Sequence, residues 1–182
     1  MLKEILIAGF GGQGIMLMGQ LLAYGGIYEG LEVSFFPSYG PEMRGGTANC
    51  TVVLSDERIG SPIRNTFSVL MAMNQASLDK FENRVKSGGV VAYNETLIDS
   101  GPKRSDVEIV KIPANRIAFE MGNPQVSNMA AIGGLIPTLG IVSLESLCKG
   151  LSRVLPDYRH HLIPINEEAM KLGMKSVSGN GK

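Results

Sequence analysis

The spacing between apolar residues changes along this chain, and the first two patterns predict a strand followed by a helix. Four consecutive apolar residues at 5–8 are typical of a buried strand, and residues 15–28 carry apolar side chains at helical spacing. Residues 33–36, three of which are apolar, predict a second strand, which Pro37 would end because it lacks a backbone donor. Strand, helix and strand within about 30 residues predict a parallel strand pair with a right-handed crossover.

The rest of the chain continues this alternation. Residues 47–54 have the pattern of a half-buried strand, and further strands are predicted at 67–73, 90–93 and 108–112. Helices are predicted at 75–85, 113–121, 127–139, 144–154 and 165–172. This order predicts one three-layer α/β domain over residues 1–175, with a mostly parallel, Rossmann-like sheet and helices on both faces. Residues 176–182 are expected to form a flexible tail.

Two glycines lie inside the helix predicted at 127–139, and Ser127 or Asn128 can cap its start. An interior glycine costs about 1 kcal/mol relative to alanine. Gly133 and Gly134 are therefore expected where another element packs very close.

Composition and charge narrow the possible functions. The 17 Lys and Arg balance the 17 Asp and Glu, and there is no long basic run, so nucleic acid is not expected as a partner. Cys50 and Cys148 are too few for a disulfide framework or a four-thiolate metal site, and reduced thiols suit a cytoplasmic location. The N-terminal pattern is not that of a secretory signal, and no apolar stretch approaches the roughly 20 residues that span a bilayer. No catalytic side chain and no metal site are predicted.

The segment GFGGQG at 9–14 lies between the first strand and the first helix. Gly9, Gly11 and Gly14 have the spacing G-x-G-x-x-G, at which backbone N–H groups and the positive end of a helix dipole can hold an anion. The alternative is that these glycines only permit a tight turn and close packing of the helix on the strand.

A nicotinamide site also needs an acidic residue at the end of the second strand, where it binds the ribose hydroxyls. This chain has Phe35, Phe36 and Pro37 there. The loop is therefore predicted to be a general phosphate or anion cradle. An NAD(P)-dependent reductase is the alternative.

A second loop lies within PSYGPEMRGGTANCTVVLSD, residues 37–56. Gly45 and Gly46 allow an unusual backbone conformation or close approach, and Arg44 could bind a carboxylate or phosphate with Glu42 positioning it. A structural Glu42–Arg44 pair that braces the loop is the alternative.

The two segments GFGGQG and PSYGPEMRGGTANC together resemble the gamma subunit of the 2-oxoacid:ferredoxin oxidoreductases, which are thiamine diphosphate and iron–sulfur enzymes that oxidise 2-oxoacids to acyl-CoA. NMAAIGGLIPTLG at 128–140 is similar to the late glycine-rich helix of that family, so the resemblance covers nearly the whole chain. The form PEMRGGTANC is more similar to 2-oxoglutarate or branched-chain 2-oxoacid enzymes than to pyruvate enzymes.

The resemblance implies a subunit that is inactive alone and that contributes coenzyme A contacts and subunit interface to a complex. Thiamine diphosphate, magnesium and iron–sulfur clusters would be bound by the alpha and beta subunits and by a delta subunit where one is present, with ferredoxin as the electron acceptor. A noncatalytic nucleotide- or acyl-CoA-binding module acting outside any complex is a further alternative.

The resemblance also implies roles for the residues of both loops. The coenzyme A phosphates would be contacted by the first loop, at Gly9, Gly11, Gly12, Gln13 and Gly14. The neighbouring subunits or the substrate mouth would be faced by the second loop, at Tyr39, Glu42, Arg44, Gly45 and Gly46.

Overall fold

Six strands form one sheet in the computed structural model, which describes residues 1–39, 47–61 and 63–178. They are β1 (Leu2–Phe10), β2 (Glu32–Tyr39), β3 (Thr47–Ser55), β4 (Phe67–Ala72), β5 (Val85–Asn94) and β6 (Glu108–Ile112). The order across the sheet is β2-β3-β1-β4-β5-β6. The strands β1, β4, β5 and β6 pair in parallel, whereas β3 is antiparallel to both β1 and β2. The sheet is mostly parallel, as predicted.

The helices of the described residues follow the predicted order. They are α1 (Ile15–Tyr28), α2 (Gln75–Phe81), α3 (Ala114–Glu120), α4 (Ser127–Leu139), α5 (Leu144–Val154) and α6 (Ile163–Ser178). The last helix is longer than predicted, since α6 includes residues 176–178 of the expected tail, while residues 179–182 lie outside the described part. No helix within the described residues is both long and apolar enough to cross a membrane.

The predicted pairing of the first two strands is wrong. The strands β1 and β2 run in the same direction, but β3 lies between them and pairs with both. A strand can return antiparallel after a short loop and insert beside the first strand, and the apolar pattern of β3 does not reveal which neighbours it takes.

The second strand does not end at Pro37 but continues to Tyr39. Proline removes one ladder hydrogen bond and is therefore excluded from central strands. Because β2 is at the edge of the sheet, one side of its backbone has no strand partner among the described residues, and Pro37 is tolerated opposite Cys50 of β3.

The two faces of the sheet are covered unequally. On one face α1, α3, α4, α5 and α6 pack over side chains such as Ile7 and Val52 to form the large core. On the other face α2 contributes Leu78 and Phe81 to a smaller core that includes Leu70. The predicted three layers are present, but in the described part of the chain one outer layer has α2 as its single α-helix.

The close packing expected at the glycines of α4 is confirmed. A Cβ atom at Gly133 would lie 2.1 Å from the Met170 carbonyl oxygen of α6, and one at Gly173 would lie 1.9 Å from the Ala130 carbonyl oxygen of α4. The two helices therefore approach each other backbone to backbone. A Cβ atom at Gly134 would in turn lie 2.8 Å from Ile112 Cδ1 at the end of β6.

Candidate functional site

The two loops singled out from the sequence leave the sheet from neighbouring strand ends. Residues 11–14 connect the end of β1 at Phe10 to the start of α1. In the strand register Phe10 lies opposite Thr47, the first residue of β3, and Tyr39, the last residue of β2, lies opposite Ala48. The antiparallel insertion of β3 thus places the first loop and the two described ends of the second loop at the edge of the sheet where the parallel strands have their carboxyl ends.

The second loop is described only at its two ends. Glu42, Arg44, Gly45 and Gly46 lie outside the described residues, as does the side chain of Tyr39. Their place at the interface or substrate mouth stays a prediction.

The glycines of the first loop have different surroundings. Gly12 is exposed with φ +97°, and a Cβ atom there would meet no described atom within 4 Å. Gly14, with φ +75°, is packed, since a Cβ atom would lie 2.2 Å from Asn128 Nδ2 of α4. A Cβ atom at Gly9 would lie 2.6 Å from both Gln13 Oε1 and Ile15 Cδ1. The interpretation that the glycines permit close packing is confirmed at Gly9 and Gly14, whereas anion binding at the open turn of Gly12 stays a prediction.

The side chain of Gln13 holds the loop in place by hydrogen bonds. Its Oε1 accepts hydrogen bonds from the Phe10 N–H at 2.7 Å and from Asn74 Nδ2 at 2.9 Å, and its Nε2 donates to the Met73 carbonyl oxygen at 3.2 Å. These contacts join the turn to the end of β4. Gln13 therefore fixes the conformation of the loop, and a direct contact of its side chain with a ligand stays a prediction.

Among the described residues, no side chain caps the start of the first helix. Gly14 is at the cap position, and the first turn contains no acidic residue. The first N–H groups of a helix have no intrahelical acceptor and carry the positive end of the helix dipole, so they favour an anion in front of them. An anion placed before Gly14 would meet no carboxylate of α1's own first turn.

The start of α5 shows the opposite arrangement. Ser143 Oγ accepts from the Ser146 N–H at 3.1 Å, and Glu29 Oε1 accepts from the Ser143 N–H at 2.9 Å. The Ser146 hydroxyl also donates to Glu29, and these hydrogen bonds lower the pKa of Glu29 below its ordinary value of 4.5. A carboxylate of the chain itself therefore occupies this helix terminus.

Asparagines at the same sheet edge were missed by the sequence reasoning. Asn74 follows β4 and caps α2 by accepting from the Ser77 N–H at 2.9 Å. Asn94 ends β5, is fully buried, and donates from Nδ2 to Asn115 Oδ1 at 2.7 Å. Its Oδ1 has no hydrogen-bond partner among the described residues. The sequence signal that could have identified them is their position, since Asn74 and Asn94 come directly after the strands predicted at 67–73 and 90–93.

Neither cysteine is activated. Cys50 is fully buried with Sγ 3.5 Å from the Ile15 carbonyl oxygen, and burial raises its pKa to about 12. Burial and the nearby Glu167 raise the pKa of Cys148 to about 11. Both thiols are protonated at neutral pH, and the thiolate is the reactive form. In the part of the chain that is described, no group of three His, Cys, Asp or Glu residues could hold a metal ion.

Comparison with known proteins gives matches over nearly the whole chain. Residues 4–176 match the family Pyruvate ferredoxin/flavodoxin oxidoreductase. Ketoisovalerate oxidoreductase subunit VorA of Methanothermobacter marburgensis is 41% identical over 171 residues, which are 93% of this chain and 35% of VorA. The 2-oxoglutarate synthase subunit KorC of Methanocaldococcus jannaschii is 40% identical over 159 residues, covering 86% of this chain and 85% of KorC. The chain thus spans about a third of VorA and most of KorC.

Two solved structures share the fold along the entire chain. The gamma subunit of keto/oxoacid ferredoxin oxidoreductase from Geobacter sulfurreducens has a TM-score of 0.87 and 27% identity, and the match covers 100% of this chain and 99% of that one. The 2-oxoglutarate:ferredoxin oxidoreductase from Magnetococcus marinus, with 2-oxoglutarate, coenzyme A and succinyl-CoA bound, has a TM-score of 0.89 and 28% identity, covering 100% of this chain and 32% of that one. The resemblance carried by the two loops is confirmed, and this chain belongs to the pyruvate ferredoxin/flavodoxin oxidoreductase family.

Proposed function

We propose that this chain is the gamma subunit of a multisubunit 2-oxoacid:ferredoxin oxidoreductase and that its glycine loop holds phosphate groups of coenzyme A. The observation that carries the proposal is the open turn at Gly12, in front of a helix whose N-terminus is capped by no side chain that the structure describes. Family membership and the coenzyme A bound in the Magnetococcus marinus relative support it.

In this assignment the loop binds the acyl acceptor without a cationic side chain. The backbone N–H groups of Gly11, Gly12 and Gly14 and of the first turn of α1 donate to the phosphate oxygens, while the Gln13 N–H donates to the Phe10 carbonyl oxygen. Gln13 keeps those groups in place through its contacts with Phe10, Met73 and Asn74. A fixed set of donors binds an anion more tightly than a flexible loop, because little conformational freedom is lost on binding.

The redox chemistry belongs to other chains in this proposal. Alpha and beta subunits, with a delta subunit where one is present, carry thiamine diphosphate, magnesium and iron–sulfur clusters and pass electrons to ferredoxin in the cytoplasm. The substrate is a 2-oxoacid of the 2-oxoglutarate or branched-chain type, which the names and identities of VorA and KorC support.

The test is a pair of substitutions at Gly12 in the complex assembled with its partner subunits. Asp and Asn have nearly the same shape, so Gly12→Asp and Gly12→Asn enter the same open space with the same unfavourable φ. The charge of Asp opposes the phosphates. We expect the apparent KM for coenzyme A to be about tenfold higher in Gly12→Asp than in Gly12→Asn, equivalent to about 1.4 kcal/mol.

The measurement is the initial rate of viologen reduction with a panel of 2-oxoacids and varied coenzyme A. Equal KM values for the two variants would contradict the phosphate site. Failure of the wild-type chain to co-purify with other subunits, or NADH oxidation by the isolated chain, would contradict the assignment as a gamma subunit.

A further inference from the structure

A polar cavity on the face of the sheet opposite α1 has no role in the proposed function. The side chains of Phe36 and Ser38 in β2 and of Asn49 and Thr51 in β3 alternate with those that enter the large core, so they point to this second face. With Arg64 and Arg84 they line a cavity of about 150 Å³, which we term the arginine pocket.

Arg84 is held at the pocket by neutral groups. Its Nε donates to the Asn65 carbonyl oxygen at 2.8 Å and its Nη2 donates to the Arg64 carbonyl oxygen at 3.2 Å. The guanidinium also stacks on Phe67, with 4.9 Å between its central carbon and the ring centroid. Carbonyl groups and an aromatic ring orient the guanidinium without neutralising it.

Among the described residues, Arg64 forms an ion pair only with Glu4, and Glu4 also pairs with Lys86. Its Nε lies 2.8 Å from Glu4 Oε1, and Lys86 Nζ contacts the other oxygen of the same carboxylate. Glu4 is buried beside them, with 5% of its surface exposed. Arg84 forms no ion pair among the described residues, so of the two arginines that line the pocket only Arg64 is paired with a carboxylate, and the pocket carries an excess of positive charge.

The rim of the arginine pocket is apolar and exposed. Phe36 is 45% exposed and Ile63 is 66% exposed, and both side chains line the cavity. A free anion in solution gains nothing from an apolar rim. A protein partner does, because apolar contacts around a central charged pair exclude water from it.

We infer that the arginine pocket binds the carboxylate of an Asp or Glu side chain that belongs to an adjoining subunit of the same complex. Guanidinium groups match the planar carboxylate and donate charge-assisted hydrogen bonds to it. The cavity has room for one carboxylate with its methylene groups and is too small for a helix or a strand. The inference rests on the proposed function, because it requires a partner subunit.

The first test supplies a competing carboxylate from the chain itself. Ser38 is exposed on an edge strand, so Ser38→Glu and its uncharged match Ser38→Gln leave the core intact. We expect Ser38→Glu to fill the pocket and to weaken retention of the partner subunits by about tenfold or more, while Ser38→Gln retains them like wild type. Thermal unfolding of each isolated variant checks that both are folded.

The second test identifies the occupant and does not depend on weakened assembly. In the complex that contains Ser38→Lys, a zero-length carbodiimide joins an amine at position 38 to a carboxylate in direct contact. We expect mass spectrometry to find a cross-link from residue 38 to an Asp or Glu of a partner subunit. A cross-link only within this chain, or none in an assembled complex, would overturn the inference.

The outcomes separate this inference from the proposed function. If the wild-type chain assembles but Ser38→Glu and Ser38→Gln are retained equally, the partner carboxylate is refuted while the gamma-subunit assignment stands. Sulfate tests a free anion as the occupant, because a carbodiimide does not activate it. If sulfate prevents the cross-link at position 38 while every subunit stays bound, the occupant is a free anion and the inference is wrong. If the wild-type chain retains no partner, both proposals fail.

Discussion

Glycines are concentrated at the loop of residues 9–14 and at the crossing of α4 with α6, and they act in opposite ways there. At Gly133 and Gly173 the space of the missing side chain is filled by the backbone of another helix. At Gly12 that space is open. Glycines of this chain therefore differ in their surroundings: those at the helix crossing permit close packing, and Gly12 leaves the backbone of its turn accessible.

The loop itself contains both kinds of glycine. Gly9 and Gly14 are packed against Gln13, Ile15 and Asn128, whereas Gly12 faces outward. The packed glycines hold the turn in a fixed shape, and the open one gives access to its backbone. Substitutions can separate these two roles. A change at a packed glycine should alter the stability of the domain, whereas a change at the open glycine should alter ligand binding.

The largest effect is expected at the helix crossing, from Gly173→Ala. The new methyl group would meet the Ala130 carbonyl oxygen at 1.9 Å, and backbone cannot move aside without separating α4 from α6. We expect a loss of about 3 kcal/mol or more in the free energy of unfolding, measured by urea denaturation. The matched control is Gly60→Ala, where nothing lies within 4 Å, and its change should stay within about 0.5 kcal/mol.

A loss below about 1 kcal/mol for Gly173→Ala would contradict the backbone contact, because overpacking against fixed atoms generally costs more than that.

An intermediate effect is expected from Gly9→Ala. The new methyl group would lie 2.6 Å from Gln13 Oε1 and from Ile15 Cδ1, but both are side-chain atoms that can shift. We expect a loss of about 1–2 kcal/mol in the free energy of unfolding, together with a higher KM for coenzyme A in the complex.

A double-mutant cycle with Gln13→Ala sharpens this prediction. Removing the Gln13 side chain removes one of the clashes, so the combined loss should be smaller than the sum of the two single losses. Additive losses would show that Gly9 and Gln13 do not act on each other in the folded loop.

The smallest effect is expected at the start of α5, where the carboxylate of Glu29 already occupies the helix terminus. Hydrogen bonds from Ser146 and Ser143 lower the pKa of Glu29, so this carboxylate stabilises the fold above its ordinary pKa of 4.5. The stabilisation is lost as the pH falls through the lowered folded value. Because Glu29 is exposed, the effect should be below about 1 kcal/mol.

The check is the pH dependence of urea denaturation between about pH 3 and pH 6. Glu29→Gln should flatten the curve in that range and leave coenzyme A binding unchanged. A wild-type curve identical to that of Glu29→Gln would rule out the predicted contribution.

The helices α1 and α5 and the strand β6 could be predicted with their bounds because the determinants are local. The start of α5 follows from Ser143, whose hydroxyl accepts from an N–H three residues later. The position of the glycine loop between a strand and a helix was local information as well. The insertion of β3 beside β1 depends on which strands pair across the sheet, and no local pattern encodes that.

The finer geometry of the candidate site was unpredictable for the same reason. Gln13 gains its structural role from Met73 and Asn74, about 60 residues away in sequence. Gly14 is packed only because Asn128 of α4 lies against it. The sequence could place the loop, but which of its glycines stays open depends on elements that meet it in the folded domain.

The crossing of α4 with α6 also affects how the chain can fail to fold. The surface of α4 around Ala130 and Gly133 is covered by α6 at the level of Gly173. When α6 is detached, an almost wholly apolar helix loses its cover. Any partly folded state that lacks α6 therefore exposes this apolar surface, and exposed apolar surface makes such states prone to aggregation.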